Sequence, residues 1–188
     1  MAFPVLVDAC VLVPMATTDL LLRMADARHF RILWSQEILA EVERNLIEQL
    51  GLTPEQARRR VSTMHDHFPD ALVEDYSNLI PAMTNDEKDR HVLAAAVRAN
   101  AELIVTFNGK DFPTASVDPY EIDVRSPDDF LLDQLDLHPE GVLQVTHDTV
   151  GAMRNPPKTW DEYLDFLHGP GLLPLFATEL KRLDADRR

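Results

Sequence analysis

The first apolar run constrains the fold most. In "FPVLVDAC", residues 3–10, Val5, Leu6 and Val7 stand together and the run then closes on an acid, Asp8. It is too short and too β-branched for a helix of its own, so it reads as a buried strand. A helical pattern follows from Val11 to about Ala25, with Leu12, Met15, Leu20 and Met24 among its apolar positions and Pro14 in its first turn.

The same succession of strand and helix recurs downstream. "RILW" is a second strand, and Ser35 caps a helix whose apolar face is Ile38, Leu39, Val42, Leu46 and Leu50, ended by Gly51. Thr53, Pro54 and Gln56 form a capping box for the next helix, in "LTPEQARRRVSTMHDHF". "ALVEDY" reads as a strand. "TNDEKDRHVLAAAVRAN" reads as a helix capped by Thr84 and Glu87. "ELIVTF" is a strand, "NGKDFP" a turn and "YEIDV" a last short strand. Such alternation predicts an α/β fold, with a mainly parallel sheet covered by helices on both faces.

After Ser126 the strands stop. "SPDDFLLDQL", "PEGVLQVTHDTVGAM", "TWDEYLDFL" and "LPLFATELKRL" read as four short helices. The expected organisation is an α/β domain over residues 1–125 and a helical extension over residues 126–188, packed on or beside it.

Bulk properties narrow the function classes. A single cysteine, Cys10, excludes an internal disulfide framework. It lies in an apolar run and reads as a small buried residue. No apolar stretch approaches the roughly 18 residues of a membrane span, and no basic segment precedes a long apolar one. A reducing cytoplasmic setting and no membrane partner are the expectation. The net charge of −14 argues against a broad basic face for nucleic acid, but not against a nuclease whose metal site itself consumes acids.

The acids that break the core pattern point to such a site. Ligands of an open parallel sheet sit beyond the carboxyl ends of its strands, where Asp8 belongs. Asp111 follows "ELIVT", and the turn residues Asn108 and Gly109 return it to the same rim. Asp86 and Asp89 stand three apart at a helix start, with Asp89 beside the stripe Leu93, Ala96 and Val97. Glu41 lies at the flank of the helix after the second strand, with Glu37 and Glu43 as alternatives. Clustered carboxylates repel unless a cation joins them. An oxygen-only set suits Mg²⁺ or Mn²⁺, and the chemistry that follows is phosphodiester hydrolysis.

Over about residues 3–113 these stretches resemble the PIN (PilT N-terminus) domain family of metal-dependent ribonucleases. "VLVDACVLV" gives Asp8, "SQEILAE" gives Glu41, "DRHVLAAA" gives Asp89 with Asp86 one turn earlier, and "IVTFNGKDF" gives Asp111. The resemblance implies a three-layer PIN-like fold in which Asp8, Glu41, Asp89 and Asp111 hold Mg²⁺ or Mn²⁺ and activate water against RNA. It implies a VapC-type toxin with a cognate antitoxin as protein partner, and a homodimer. Asp86, Thr106 and Asn108 are candidates for supporting the metal ligands. In this sequence Ala9 and Cys10 stand where small polar residues often follow the first acid, and Asn108 where an acid is common. Those departures motivate an alternative: a catalytically weak or inactive PIN-like module that binds RNA or a protein. A receiver or phosphatase on a similar sheet is disfavoured, because no paired acid precedes Asp8.

Arg58, Arg59 and Arg60 are candidate RNA contacts, although consecutive helical residues fan apart and cannot all face one backbone. Arg28, His29 and Arg31 form a milder patch. His91 is expected on another face from Asp89, as a surface or packing residue. Trp34 and Trp160 are expected to pack helices.

Overall fold

The computed structural model describes residues 2–169 and 172–186. By its internal contacts the chain divides into two compact units. One joins Met1–Pro14 to Phe30–Arg125, the other Met15–His29 to Ser126–Arg188. Helix α1 (Met15–Asp26) therefore belongs with the C-terminal helices and not with the sheet that flanks it in sequence.

The first unit is built on five strands: β1 (Pro4–Val7), β2 (Arg31–Ser35), β3 (Leu72–Val73), β4 (Leu103–Val105) and β5 (Asp123–Arg125). They run in the order β3-β2-β1-β4-β5, and every neighbouring pair is parallel. The predicted α/β architecture with a parallel, helix-flanked sheet is what the chain adopts. β1 is central, and its Val5, Leu6 and Val7 are fully buried. From β1 the chain winds outward to β2 and β3, then starts again on the other side with β4 and β5. This reversal opens a crevice beyond the carboxyl ends of β1 and β4.

Local chemistry sets the helices of this unit. The Ser35 hydroxyl accepts the Ile38 N–H to open α2 (Gln36–Leu50). Gly51 ends it in the left-handed region at φ 66°, where a side chain would be strained. The Thr53–Gln56 capping box opens α3 (Pro54–His67). Helix α4 (Arg90–Arg98) lies against β1, β2 and β4 through an alanine-rich body that is buried from Val92 to Ala96. Helix α5 (Thr114–Val117) is a single turn.

Three expectations are corrected. The helix expected from Val11 begins only at Met15, because Asp8 caps a 3₁₀ turn over Ala9–Val11. The strand expected in "ALVEDY" shrinks to Leu72–Val73. The Thr84–Glu87 capping box does not form. The Thr84 hydroxyl contacts Ser116 at 3.0 Å instead, and Asp86 caps a 3₁₀ turn over Glu87–Asp89 before α4 begins at Arg90.

The second unit is helical: α1 with α6 (Pro127–Leu137), α7 (Pro139–Ala152), α8 (Trp160–Leu167) and α9 (Pro174–Ala185). The four C-terminal helices stand where the sequence places them. α6 packs on α7 and α9, α8 on α9, and α1 on α7. Gly141 in α7 lets His29, just after α1, come close, since a Cβ there would stand 2.7 Å from its Cε1. The Asp128 carboxylate near the start of α6 accepts the Leu175 and Phe176 N–H groups, both at 2.9 Å, and so caps the start of α9. Trp160 stacks on His147 at 3.9 Å, and in the first unit Trp34 is fully buried edge-on to Phe68.

Candidate active site

Asp8 stands at the end of β1, 4% exposed. Its Oδ1 accepts the Ala9 N–H at 2.6 Å. Its Oδ2 accepts the Thr106 hydroxyl at 2.6 Å and the Cys10 thiol at 3.2 Å. Thr106, just past β4, in turn accepts the Asn108 N–H at 3.0 Å. The two strands of the crevice are thus tied through one carboxylate. Cys10, half-buried, supplies Asp8 with a donor in a place where small polar residues were expected. Burial first, and then the neighbouring Asp8 charge, push its thiol up to about 12, so it stays protonated and donating.

Two turns supply the facing acids. Asp86 Oδ1 accepts the Lys88 N–H at 3.2 Å, and the Asp86 N–H reaches the Asp111 carbonyl at 3.1 Å. That bond clamps the 86–89 turn to the turn over Gly109–Asp111. Asp111 is 8% exposed. Asp89 Oδ2 is buried without a hydrogen-bond partner. Desolvation, then the charges of Asp8 and Asp111, raise the Asp89 carboxyl to about 6 against the pull of Lys88. Asp8, Asp89 and Asp111 therefore share one field. The Lys88 ammonium lies 3.2 Å from Asp111 Oδ2 and 3.7 Å from Asp89 Oδ2.

Glu41 joins this group at one remove. Its Oε1 is 3.4 Å from His91 Nε2, and His91 Nδ1 is 4.0 Å from Glu37 Oε2. The Tyr76 hydroxyl donates to Glu37 Oε1 at 2.9 Å. His91 is 7% exposed and packs beside Glu41 and Glu37. Burial opposes its protonation, but Glu41, Glu37 and Asp8 outweigh it and raise the imidazole above its ordinary range.

The PIN domain family profile matches residues 4–110, more than half of the chain. The chain belongs to the PIN domain family. A second family, the VapC50 C-terminal domain, matches residues 127–182. The chain is 51% identical over 108 residues to a Mycobacterium tuberculosis (strain ATCC 25618 / H37Rv) protein named "Putative ribonuclease VapC50". That alignment covers 57% of this chain and 63% of the relative. No solved structure matches the chain.

Within this PIN domain, the remaining expected residues lie apart from the acids. The Arg60 guanidinium donates to the carbonyls of Leu12 and Val13 at 3.0 and 3.2 Å. Arg58 is 3.7 Å from Glu43, and Arg59 is exposed. Reading the sequence alone missed three residues at the rim. Lys88 reads as an ordinary solvated charge, His91 reads as a surface or packing residue with nothing to mark its place beside Glu41, and Asn85, 3% exposed with both side-chain polar atoms unpartnered, carries no signal that marks it as buried.

Among the described residues, no three His, Cys, Asp or Glu side chains stand close enough to hold an ion as they are. The donor chemistry nevertheless fits a hard divalent cation. The converging donors are carboxylate oxygens, and Asp89 Oδ2 is a buried oxygen left without a hydrogen bond.

Proposed function

We propose that this PIN domain is a Mg²⁺- or Mn²⁺-dependent ribonuclease. The observation that carries the reading is the convergence of Asp8, Asp89 and Asp111, with burial first and then its like-charged neighbours raising the Asp89 carboxyl to about 6. In this reading Asp8, Asp89 and Asp111 are the primary ligands. A bound divalent ion supplies charge neutralisation at the phosphoryl group and acidifies water. Glu41, seated by His91, completes the ligand set or orients the attacking water. Thr106 and Cys10 hold Asp8 in its rotamer, and the Asn108 N–H holds Thr106. Asp86 fixes the turn that carries Asp89.

Residues 1–125 would carry the chemistry and residues 126–188 form a helical extension. The 108-residue likeness to a putative ribonuclease VapC50, beside the VapC50 C-terminal-domain match, supports a toxin role, and this reading takes with it a cognate antitoxin as protein partner, a cytoplasmic setting and a homodimer. No helix among the described residues is long and apolar enough to cross a membrane.

Cleavage of RNA with Mg²⁺ or Mn²⁺, against EDTA and against Asp8→Asn, tests the reading. Undiminished cleavage by the variant overturns the site. The second reading, a catalytically silent module that binds RNA or protein, is favoured by the lysine lodged between Asp89 and Asp111. Calorimetry separates the two: an intact fold with no Mn²⁺ heat at sub-millimolar affinity supports the silent module.

A further inference from the structure

The Lys88 ammonium lies where a cation is best held by Asp89 and Asp111, within ion-pair distance of an oxygen of each. Its place there is built. The Asp86 carboxylate fixes the Lys88 backbone N–H, and the Asp86 N–H clamps the turn to the Asp111 carbonyl. The stem is 66% exposed, so the side chain can swing into water at small cost. A divalent ion bound by the same oxygens at about 2.1 Å leaves no room for an ammonium among them.

We infer that Lys88 is the built-in counter-cation of this carboxylate pair, and that a divalent ion binds by exchanging with it, so that Lys88 sets the metal affinity of the site. The inference rests on the metal-binding reading above and adds a residue with an opposing role. Removing any metal ligand weakens binding; removing Lys88 strengthens it. It also explains how the acids stay together without metal, because the lysine offsets their repulsion until the ion arrives.

The test is Mn²⁺ titration by calorimetry of the full chain, its Lys88→Met and Lys88→Arg variants, and Lys110→Met. The last removes the same charge from the exposed position beside Asp111, outside the pair. Loss of the two ion pairs made by an exposed ammonium gives an expected tightening of about fivefold for Lys88→Met. Lys88→Arg and Lys110→Met are expected to keep the parent affinity. An unchanged or weaker Kd for Lys88→Met overturns the inference and leaves the metal site standing. Equal tightening by Lys110→Met also overturns it, since the effect is then a general field. Absence of Mn²⁺ binding in every protein overturns the metal reading and this inference with it. Binding that appears only in Lys88→Met supports both.

Discussion

At the residue scale, the site is a set of carboxylates, and burial and neighbouring charge act on Asp89 among them. Asp89 illustrates the sign. Its carboxyl is raised to about 6, so the folded chain holds the proton more tightly than the unfolded one. Its contribution to stability is present at low pH and lost as pH rises from about 4 through about 6. A metal ligand must be deprotonated, so Mn²⁺ affinity is expected to fall by about tenfold between pH 7 and pH 5. Buffer-dependent calorimetry at pH 5.5 should show proton release on binding; none would argue against Asp89 as a ligand. Thr106→Val removes a buried donor from Asp8 and should cost about 1–3 kcal/mol of stability in urea denaturation, with cleavage lowered roughly 10–100-fold. Cys10 should resist alkylation at pH 8, and Asp8→Asn, by removing the neighbouring charge, should accelerate the reaction.

The legibility of these residues followed physical lines. Asp8 and Thr106 could be placed because each follows a β-branched run, and strand ends define a rim. His91 reads as a packing residue, but its approach to Glu41 joins two helices and no local pattern records it. Lys88 could not be read, because a lysine among acids in a linear sequence looks like any solvated helix charge.

At the element scale, caps decided what could be read. Ser35, Thr53, Ser126 and Thr159 each cap a helix through the side chain, as their sequence patterns announce. Thr84 carries the same signature as Thr53 yet caps nothing. Its hydroxyl is engaged by Ser116, thirty-two positions away, and no local pattern records that contact. The start of α9 gives a sharper case. Its cap comes from Asp128, and a carboxylate that serves two N–H groups of a remote helix is invisible to local rules. Asp128→Ala is expected to cost about 2–3 kcal/mol, and Asp128→Asn less, by equilibrium unfolding in urea. Equal stability of Asp128→Ala and the parent would remove this carboxylate from the account of how α9 starts.

At the scale of the whole molecule, two families meet in one chain, and the two compact units do not follow that boundary. The PIN profile spans residues 4–110, yet α1 clusters with the helices of residues 126–188. Sequence periodicity found α1 but not its allegiance, because an amphipathic face does not name what covers it. A chain cut after Arg125 loses α7, against which α1 packs, so its melting temperature is expected to fall by roughly 5–10 °C or more, read by circular dichroism. An unchanged melt would show that α1 does not depend on α7.

The placement of α1 also bears on how the chain is made. α1 ends at Asp26, and the rest of its unit begins at Ser126. At about 5–20 residues per second of translation, α1 leaves the ribosome roughly 6–25 seconds before α7 is complete. Through that interval the nascent chain carries an amphipathic helix whose partner has not been synthesised.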